Sequence, residues 1–342
     1  MGSSAVQFRI VTPSFNGLGF LKRCVASVAD QTGEGPGLPG AGAGESPGVK
    51  GDSPRTDGAV YVHHHVQDAR STDGTIEFGE GCRADGFGHA FSFASEPDGG
   101  MYEALNRGFG AAEGMDVVAW LNADEQYLPH TLRKVAAFFA SRPGVDVVFG
   151  GALVVDDEGR LLACRKAMPM RRAFLEASYL YNLSCATFWR AGRWRALGGF
   201  DLAFRNAGDE ELMRRAMAAG VRTATMPEYL ATFVYGADNL SSGGTALEEH
   251  ERLKRSARRW TRALKLPLNL LRLAEKGVRG GSVEKGPLAY EIFADSERRR
   301  TRFVVERPSC RWPDAGRPYL LRHRLAEERR RGAEGGEATG CR

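Results

Sequence analysis

Short apolar runs alternate with helical apolar stripes over the first two-thirds of the chain. Residues 8–15 form a mainly apolar run ending in Pro, Ser and Phe, and apolar side chains then recur at helical spacing, at Leu18, Leu21, Val25 and Val28. The same patterns predict strands at 60–66, 91–94, 117–121, 145–155 and 161–165, and helices at 101–112 and 130–140. This alternation is typical of an α/β fold with a mostly parallel sheet covered by helices on both faces.

Polar residues follow each of the first four predicted strands. Ser14 ends the first strand and Asp68 the second, while Asp98 follows the third and Asp124 the fourth. Ligands of such sheets bind at the carboxyl ends of the strands. We therefore expect these four residues to line one crevice.

Charge divides the chain into two parts. Residues 1–245 carry 23 Lys and Arg against 28 Asp and Glu, whereas residues 246–342 carry 24 against 14. We predict a catalytic domain at 1–245, with a flexible Gly- and Pro-rich insertion at 33–58. We predict a basic C-terminal extension at 246–342 that ends in a disordered tail.

The extension contains a basic amphipathic segment at 249–273, in which Arg and Lys alternate with Leu and Trp. Such a segment is typical of a helix on an anionic membrane surface. The alternative is a helix that packs its apolar side on the domain and leaves its cations in water. Residues 290–293 and 301–305 predict a small hairpin.

Composition argues against a membrane-spanning or disulfide-rich protein. No apolar run approaches the roughly 20 residues that a transmembrane helix needs, and the first ten residues lack the apolar core of a secretory signal. The six cysteines include no CxxC pair. We expect a cytoplasmic protein with reduced thiols, peripheral at the inner face of the cell membrane.

Two carboxylates, Asp124 and Glu125, directly follow a buried apolar strand. Such a position is unfavourable for negative charge unless a cation binds there, and oxygen ligands suit magnesium or manganese. Alternatively, both acids precede the helix after Pro129, where its dipole favours negative charge. His63 and His65 also share a strand face, but no third metal ligand accompanies them.

Three further clusters carry candidate chemistry. Asp68 precedes a Ser-Thr-Asp-Gly-Thr turn at 71–75, and a carboxylate there can accept a hydrogen bond from a pyrimidine imide. Segment 95–108 forms a turn followed by a helix that carries Arg107. This arginine either contacts the ligand or is a solvated surface charge. After Gly-Gly-Phe-Asp at 198–201, three acids open a helix, and one carboxylate near an acceptor hydroxyl can remove its proton.

Taken together and in this order, these clusters resemble family-2 glycosyltransferases with the GT-A fold. The resemblance extends from Thr12 to about Pro227. It implies a Rossmann-like, three-layer α/β/α domain that transfers sugar from a nucleotide-sugar donor with inversion, using a divalent metal, magnesium or manganese.

The resemblance also assigns roles along this chain. We place nucleotide-sugar contacts at Pro13, Ser14, Phe15, Asp68, Asp98, Arg107 and Asn122, metal ligands at Asp124 and Glu125, and the catalytic base at Asp209.

Three departures from the family pattern bear on these roles. Asn122 replaces the first acid of the DxD motif. Gly208 stands where many relatives have an acid, and Asp68-Ala69-Arg70 replaces a more usual Gly-Gly or Asp-Gly. Each affects individual ligand assignments rather than the family.

The expected function is glycosyl transfer from a UDP- or dTDP-linked donor, with GDP as an alternative, to a glycan or lipid-linked acceptor in surface polysaccharide biosynthesis. A catalytically degenerate nucleotide-sugar-binding protein is the alternative. A nucleotidyltransferase would need a Gly-rich, lysine-bearing phosphate loop near the first strand, which the sequence lacks. No nucleic-acid partner is expected, because the basic extension has no recognisable motif.

Overall fold

A computed structural model of the chain describes residues 5–32, 60–85, 89–110, 112–235 and 244–313. The predicted insertion at 33–58 and the predicted tail lie outside the described residues.

Eleven strands and ten helices occupy the described residues. The strands are β1 (Val6–Ser14), β2 (Val60–Asp68), β3 (Ala90–Ser95), β4 (Val117–Trp120), β5 (Gln126–Tyr127), β6 (Val147–Val155), β7 (Leu161–Arg165), β8 (Thr187–Arg190), β9 (Thr223–Val234), β10 (Leu288–Ile292) and β11 (Thr301–Val305). The helices are α1 (Leu18–Ala29), α2 (Thr75–Asp85), α3 (Met101–Gly110), α4 (Thr131–Ser141), α5 (Arg172–Ala177), α6 (Ala191–Leu197), α7 (Gly208–Ala218), α8 (Gly244–Ser256), α9 (Arg259–Ala263) and α10 (Lys265–Val278).

Nine strands form the central sheet, in the order β3-β2-β1-β4-β8-β6-β9-β5, with β7 paired to β6. Strands β3, β2, β1 and β4 are mutually parallel, and β6 is parallel to β9. The remaining pairings, which involve β5, β7 and β8, are antiparallel.

Helices cover both faces of this sheet, as the alternating pattern predicts. Val11 of β1 packs in one core with helices α3, α6 and α7, while its neighbour Ile10 points into a second core with α1 and α4. Successive residues of a strand face opposite sides of the sheet. The two cores therefore together bury both faces of β1. The three-layer α/β/α architecture is confirmed.

Three strands, β5, β8 and β9, are absent from the sequence prediction. β8 lies antiparallel between β4 and β6, and the long β9 follows α7 and pairs with both β6 and β5. β8 spans only Thr187–Arg190, too short for a periodicity to show. Their insertion makes the sheet mixed on the side away from β1.

The C-terminal extension differs from its predicted form. The segment 249–273 is not one helix but parts of α8, α9 and α10. Leu253 of α8 is buried against Phe204 and Ala207 of the preceding domain, so α8 belongs to the packed core. In α10 only Leu268 is buried, so the alternative in which the apolar side packs on the domain is wrong for that helix.

The predicted hairpin is confirmed as β10 and β11, which pair antiparallel. Its Tyr290 and Ile292 join a small core with Leu153 and Cys164. None of the helices in the described ranges is long and apolar enough to cross a bilayer.

The strand histidines have structural partners. His63 and His65 both hydrogen-bond the Ser92 hydroxyl, at 3.1 and 2.8 Å, and the fully buried His64 hydrogen-bonds Thr12 at 2.9 Å. Burial, reinforced by neighbouring positive charge, lowers the pKa of all three rings. They therefore act as neutral polar members of the β2–β3 layer.

Two glycines of α2 test how this helix packs on β3. A Cβ at Gly79 would overlap the ring of buried Phe93, whereas one at Gly81 meets no described atom within 4 Å. We expect Gly79→Ala to lower the free energy of unfolding by about 1–3 kcal/mol through overpacking. Gly81→Ala, the matched control, should raise it by up to about 1 kcal/mol because alanine favours the helix. Urea denaturation of both variants measures this, and equal effects would contradict the packing.

Candidate active site

The parallel register brings the candidate polar residues to one edge of the sheet. Ser14 at the end of β1 pairs with Asp68 at the end of β2, and Asp68 pairs with Ser95 at the end of β3. The backbone N–H of Leu121, just after β4, donates to the carbonyl of Val11. The ends of these four strands therefore lie side by side, and the crevice expected across them stays a prediction.

Asp68 is fully buried, and both of its carboxylate oxygens are engaged. They accept hydrogen bonds from the Ser71 backbone N–H at 3.0 Å, the Ser71 hydroxyl at 2.5 Å and the Ser95 hydroxyl at 2.6 Å. The carboxylate thus ties the end of β2 to β3 and to the turn before α2. Its contact with a nucleobase stays a prediction.

The loop after β1 offers a rim for a base. Phe15 is 65% exposed, and the neighbouring Ser14 hydroxyl is buried without a hydrogen-bond partner among the described residues. The side chains of Asn16 and Ser71 tie this loop to the turn before α2, through bonds of 2.8 Å to the Thr72 and Asn16 N–H groups. An exposed ring beside an unpaired hydroxyl suits stacking and hydrogen bonding to a nucleotide.

Asp98 and Arg107 lie at the start and on the surface of α3. Asp98 accepts the Gly100 N–H at 2.9 Å. Arg107 contacts Glu103 at 2.6 Å, Glu96 at 3.4 Å and the Pro97 carbonyl at 2.9 Å. In this structure Arg107 therefore stabilises the 96–103 turn, and its donor contact stays a prediction.

The acids after β4 sit in a tight turn. The Glu125 carboxylate accepts the Asn122 N–H at 2.8 Å, which closes the turn on itself. The other Glu125 oxygen and the Asn122 side-chain oxygen are buried without hydrogen-bond partners among the described residues. Buried orphan oxygens are rare in native structures and call for a ligand or ion.

Burial also raises the pKa of both carboxyls of this turn. Desolvation raises the pKa of Asp124, with the charge of Asp157 adding to it, and desolvation raises that of Glu125, with Asp124 and Asp209 adding. A bound cation would offset the unfavourable burial of these negative charges. The oxygens of Asn122, Asp124 and Glu125 fit a hard divalent ion, which often binds through one or two carboxylates together with substrate phosphates and water. Among the described residues no cluster of three or more His, Cys, Asp or Glu forms a complete metal cage.

Asp209 lies in the first turn of helix α7, in contact with Tyr102 of α3. The Tyr102 hydroxyl lies 3.4 Å from the Asp209 carboxylate, to which it donates, and 3.3 Å from the Asp209 backbone N–H. Burial raises the pKa of Asp209 to about 6, so the carboxylate remains mostly ionised at neutral pH, as a general base requires.

The same ring explains Gly208. A Cβ at this position would lie 2.7 Å from a carbon of Tyr102, closer than packed atoms approach. The tyrosine therefore occupies the space that an acidic side chain at 208 would need. Nothing in the spacing of Tyr102 along α3 points to Asp209, which lies 107 positions further along the chain.

Helix α8 clamps the loop that leads into α7. The Glu249 carboxylate accepts the backbone N–H groups of Arg205, Asn206 and Ala207 at 2.7–2.8 Å. The neighbouring His250 lies 3.2 Å from Glu210. These residues lie in the basic extension, more than 40 positions from their partners in the loop, so no local motif could reveal them.

Glu210 is held as a buried ion. Burial alone would raise its pKa, but the His250 hydrogen bond and the Arg214 charge lower it, and Arg214 approaches to 2.7 Å. The hydrogen bond to Glu210 raises the pKa of His250 in turn. Arg214 and His250 thus balance the negative charge of Glu210. Asp209, in contrast, has no cationic partner among the described residues.

An open pocket of about 220 Å³ adjoins this region, between the start of α3 and the loop before α7. Its lining includes Gly99, Gly100, Tyr102, Leu202 and Arg205. The Asn106 side chain fixes the chain just before Leu202. It accepts the Phe200 N–H at 2.8 Å and donates to the Phe200 carbonyl at 2.9 Å. Tyr102, whose hydroxyl contacts the Asp209 carboxylate, is part of this lining.

Known proteins with similar sequences are glycosyltransferases. Residues 64–198 match the family model described as glycosyl transferase family 2. An uncharacterized glycosyltransferase of Mycobacterium tuberculosis is 27% identical over 216 residues, covering 63% of this chain and 70% of that protein. A PGL/p-HBAD biosynthesis glycosyltransferase of Mycobacterium bovis is 24% identical over 253 residues, covering 74% and 84%.

Solved structures show the same fold. TarS (residues 1–349) of S. aureus in complex with UDP-GlcNAc superposes with a TM-score of 0.53 at 18% identity, over 80% of this chain and 73% of that one. Fold, family model and relatives together define a glycosyltransferase with the GT-A fold. The matched segment and the relatives together support a family 2 glycosyltransferase.

The Glu249 clamp yields a test. We expect Glu249→Gln to lower the free energy of unfolding by about 1–3 kcal/mol, since it weakens three charge-assisted hydrogen bonds. Because the loop positions Asp209, kcat should also fall by about tenfold while the KM for donor changes little. Glu248→Gln, at the exposed neighbouring position, is the control. Steady-state kinetics decides, and a loss confined to stability would make Glu249 purely structural.

Proposed function

We propose that this enzyme is an inverting, metal-dependent glycosyltransferase that uses a UDP- or dTDP-linked sugar, with GDP as the alternative nucleotide. The observation that carries the proposal is the pairing of two acidic centres at one sheet edge. Asp124 and Glu125 supply oxygens for a cation, and Asp209 is close enough for its charge to act on Glu125. The UDP-GlcNAc complex of TarS supports a nucleotide-sugar donor for this fold.

The donor would lie across the four strand ends. In this arrangement Phe15 faces the base, Asp68 and Ser14 line the nucleotide site, and Asp98 closes the far side. Asp124, with Asn122 and Glu125, would hold a divalent cation, which when bound would supply positive charge beside the donor phosphates and the departing nucleoside diphosphate.

Asp209 would act on the acceptor. Its carboxylate accepts the proton of the acceptor hydroxyl while that oxygen attacks the anomeric carbon from the face opposite the leaving group. This displacement inverts the anomeric configuration and needs no covalent enzyme intermediate. Tyr102 orients the base through its hydroxyl, and Glu249 fixes the loop that carries it.

The acceptor is proposed to be a glycan or a lipid-linked glycan of surface polysaccharide or glycolipid biosynthesis. The PGL/p-HBAD biosynthesis glycosyltransferase among the relatives supports this class. The degenerate binding protein remains the alternative because Asn122 replaces an acid of the metal motif.

The base assignment predicts a separation of binding from chemistry. Asp209→Asn should lower transfer by about a hundredfold to ten-thousandfold, because general-base catalysis is lost. Donor binding should persist, since the variant changes neither the strand ends nor the metal acids. Transfer assays and donor titration on the same preparation measure both, and unimpaired turnover would rule out Asp209 as the base.

The metal assignment is tested together with the nucleotide. Calorimetric titration of the protein with UDP, dTDP and GDP, each with manganese or with EDTA, should show metal-dependent binding of one nucleotide. Asp124→Ala should abolish the metal-dependent part. An unchanged titration in this variant would contradict the ligand role, and nucleotide binding without any hydrolysis of the matching sugar donor would favour the degenerate protein.

A further inference from the structure

Helix α10 turns its polar side to the protein. Asn269 donates to the Ala177 carbonyl at 3.0 Å, and Glu275 forms a two-pronged ion pair with Arg171 at 2.7 and 2.8 Å. Arg272 lies over the rings of Tyr179 and Tyr181. A surface helix normally does the reverse and buries its apolar stripe.

The apolar side of α10 faces outward. Leu266, Leu270 and Leu273 recur at helical spacing and are 72%, 58% and 52% exposed. Three flanking residues extend the patch with similar exposure, namely Trp260, Leu264 and Leu271. Exposing several large apolar side chains to water is unfavourable. Apolar surface of this kind therefore indicates an interaction site.

Cations surround this docking face, which we define as the six residues Trp260, Leu264, Leu266, Leu270, Leu271 and Leu273. Residues 257–279 contain seven Lys and Arg against one acid, and that acid, Glu275, is already paired with Arg171 and Arg279. Arg259, Arg262 and Lys265 are exposed beside the leucines.

A small basic pocket of about 60 Å³ adjoins the docking face, with Leu273 in its lining. Arg165, Lys166, Arg272 and Lys276 also line it. The Arg272 Nε is buried without a hydrogen-bond partner among the described residues. Burial, together with the charges of Arg165 and Arg272, lowers the pKa of Lys276, so an anion here would offset converging positive charge.

We propose that the docking face binds an anionic lipid surface, with its leucines in the interface and its cations against the headgroups. A second copy of this chain fits poorly, because a symmetric contact would set one cationic rim against the same rim. Apolar residues flanked by Lys and Arg are the composition of helices that lie in a membrane interface. At fourteen residues, α10 suits lying on a bilayer, not spanning it.

The docking face is coupled to the active site through one short helix. Helix α5 contacts α7, α8, α9 and α10. Its Glu176 binds Arg258 at 2.8 Å and Thr261 at 3.0 Å, and its Leu175 carbonyl accepts Arg214 of α7 at 3.2 Å. Lipid binding would therefore hold helix α7, which carries Asp209, at a fixed distance from the membrane surface. A lipid-linked acceptor would reach the enzyme at that surface; this last step rests on the proposed function.

Vesicle sedimentation of the full chain, without donor, tests the proposal. Vesicles of phosphatidylcholine and phosphatidylglycerol should bind the protein, and phosphatidylcholine alone should bind it more weakly. The triple variant Leu266→Gln/Leu270→Gln/Leu273→Gln should bind about tenfold or more weakly, because three interfacial side chains are lost. Its thermal stability should not fall, since these residues are exposed. Arg262→Gln/Lys265→Gln should weaken binding chiefly at low salt.

Val304→Ser, which changes an exposed valine on β11, is the control and should bind like the parent chain. Equal vesicle binding by the parent and the triple variant, or no binding by the parent, would overturn the proposal. So would light scattering without lipid that shows an oligomer dissociated by the triple variant, because a second copy would then cover the face. Transfer to a soluble acceptor, measured in parallel, should be unchanged by the triple variant, which separates this test from that of the proposed function.

Discussion

The buried carboxylate of Asp68 fixes the edge of the sheet on which the site is built. It ties β2 to β3 through Ser95 and to the turn before α2 through Ser71. That turn in turn supplies Asp73, which accepts the first N–H of α1. A carboxylate without these bonds would be costly to bury, so the polar network and the alignment of the strand ends depend on each other.

Much of this edge could be predicted from the sequence. The apolar runs before Ser14, Asp68 and Asp124 located three strand ends, and parallel pairing makes such ends coincide in space. The family pattern then pointed to Asp209. The roles of Tyr102 and Glu249 could not be found this way, because their contacts join residues more than 40 positions apart and depend on how α3, α7 and α8 pack.

The acids of the site show why local patterns leave roles open. Asp209 and Glu210 are adjacent in sequence, yet burial raises the pKa of Asp209 to about 6 while Arg214 and His250 hold Glu210 ionised. Glu210 links α7 to His250 of α8, whereas Asp209 has no ion-pair partner among the described residues. Pairs of groups whose surroundings push their pKa values apart are typical of acid–base sites.

Two helices of the basic extension, α8 and α10, pack on the rest of the protein in different ways. α8 contributes Leu253 to the core and Glu249 to the loop before Asp209, so this part of the extension is integral to the catalytic domain. α10 instead is held by Asn269, Glu275 and the buried Leu268, and its other leucines are exposed to water. Amphipathicity alone predicted neither orientation, because an apolar stripe shows which side of a helix is apolar and not which side the protein covers. The contacts with α5 decide the orientation, because apart from Leu268 they consist of hydrogen bonds and an ion pair.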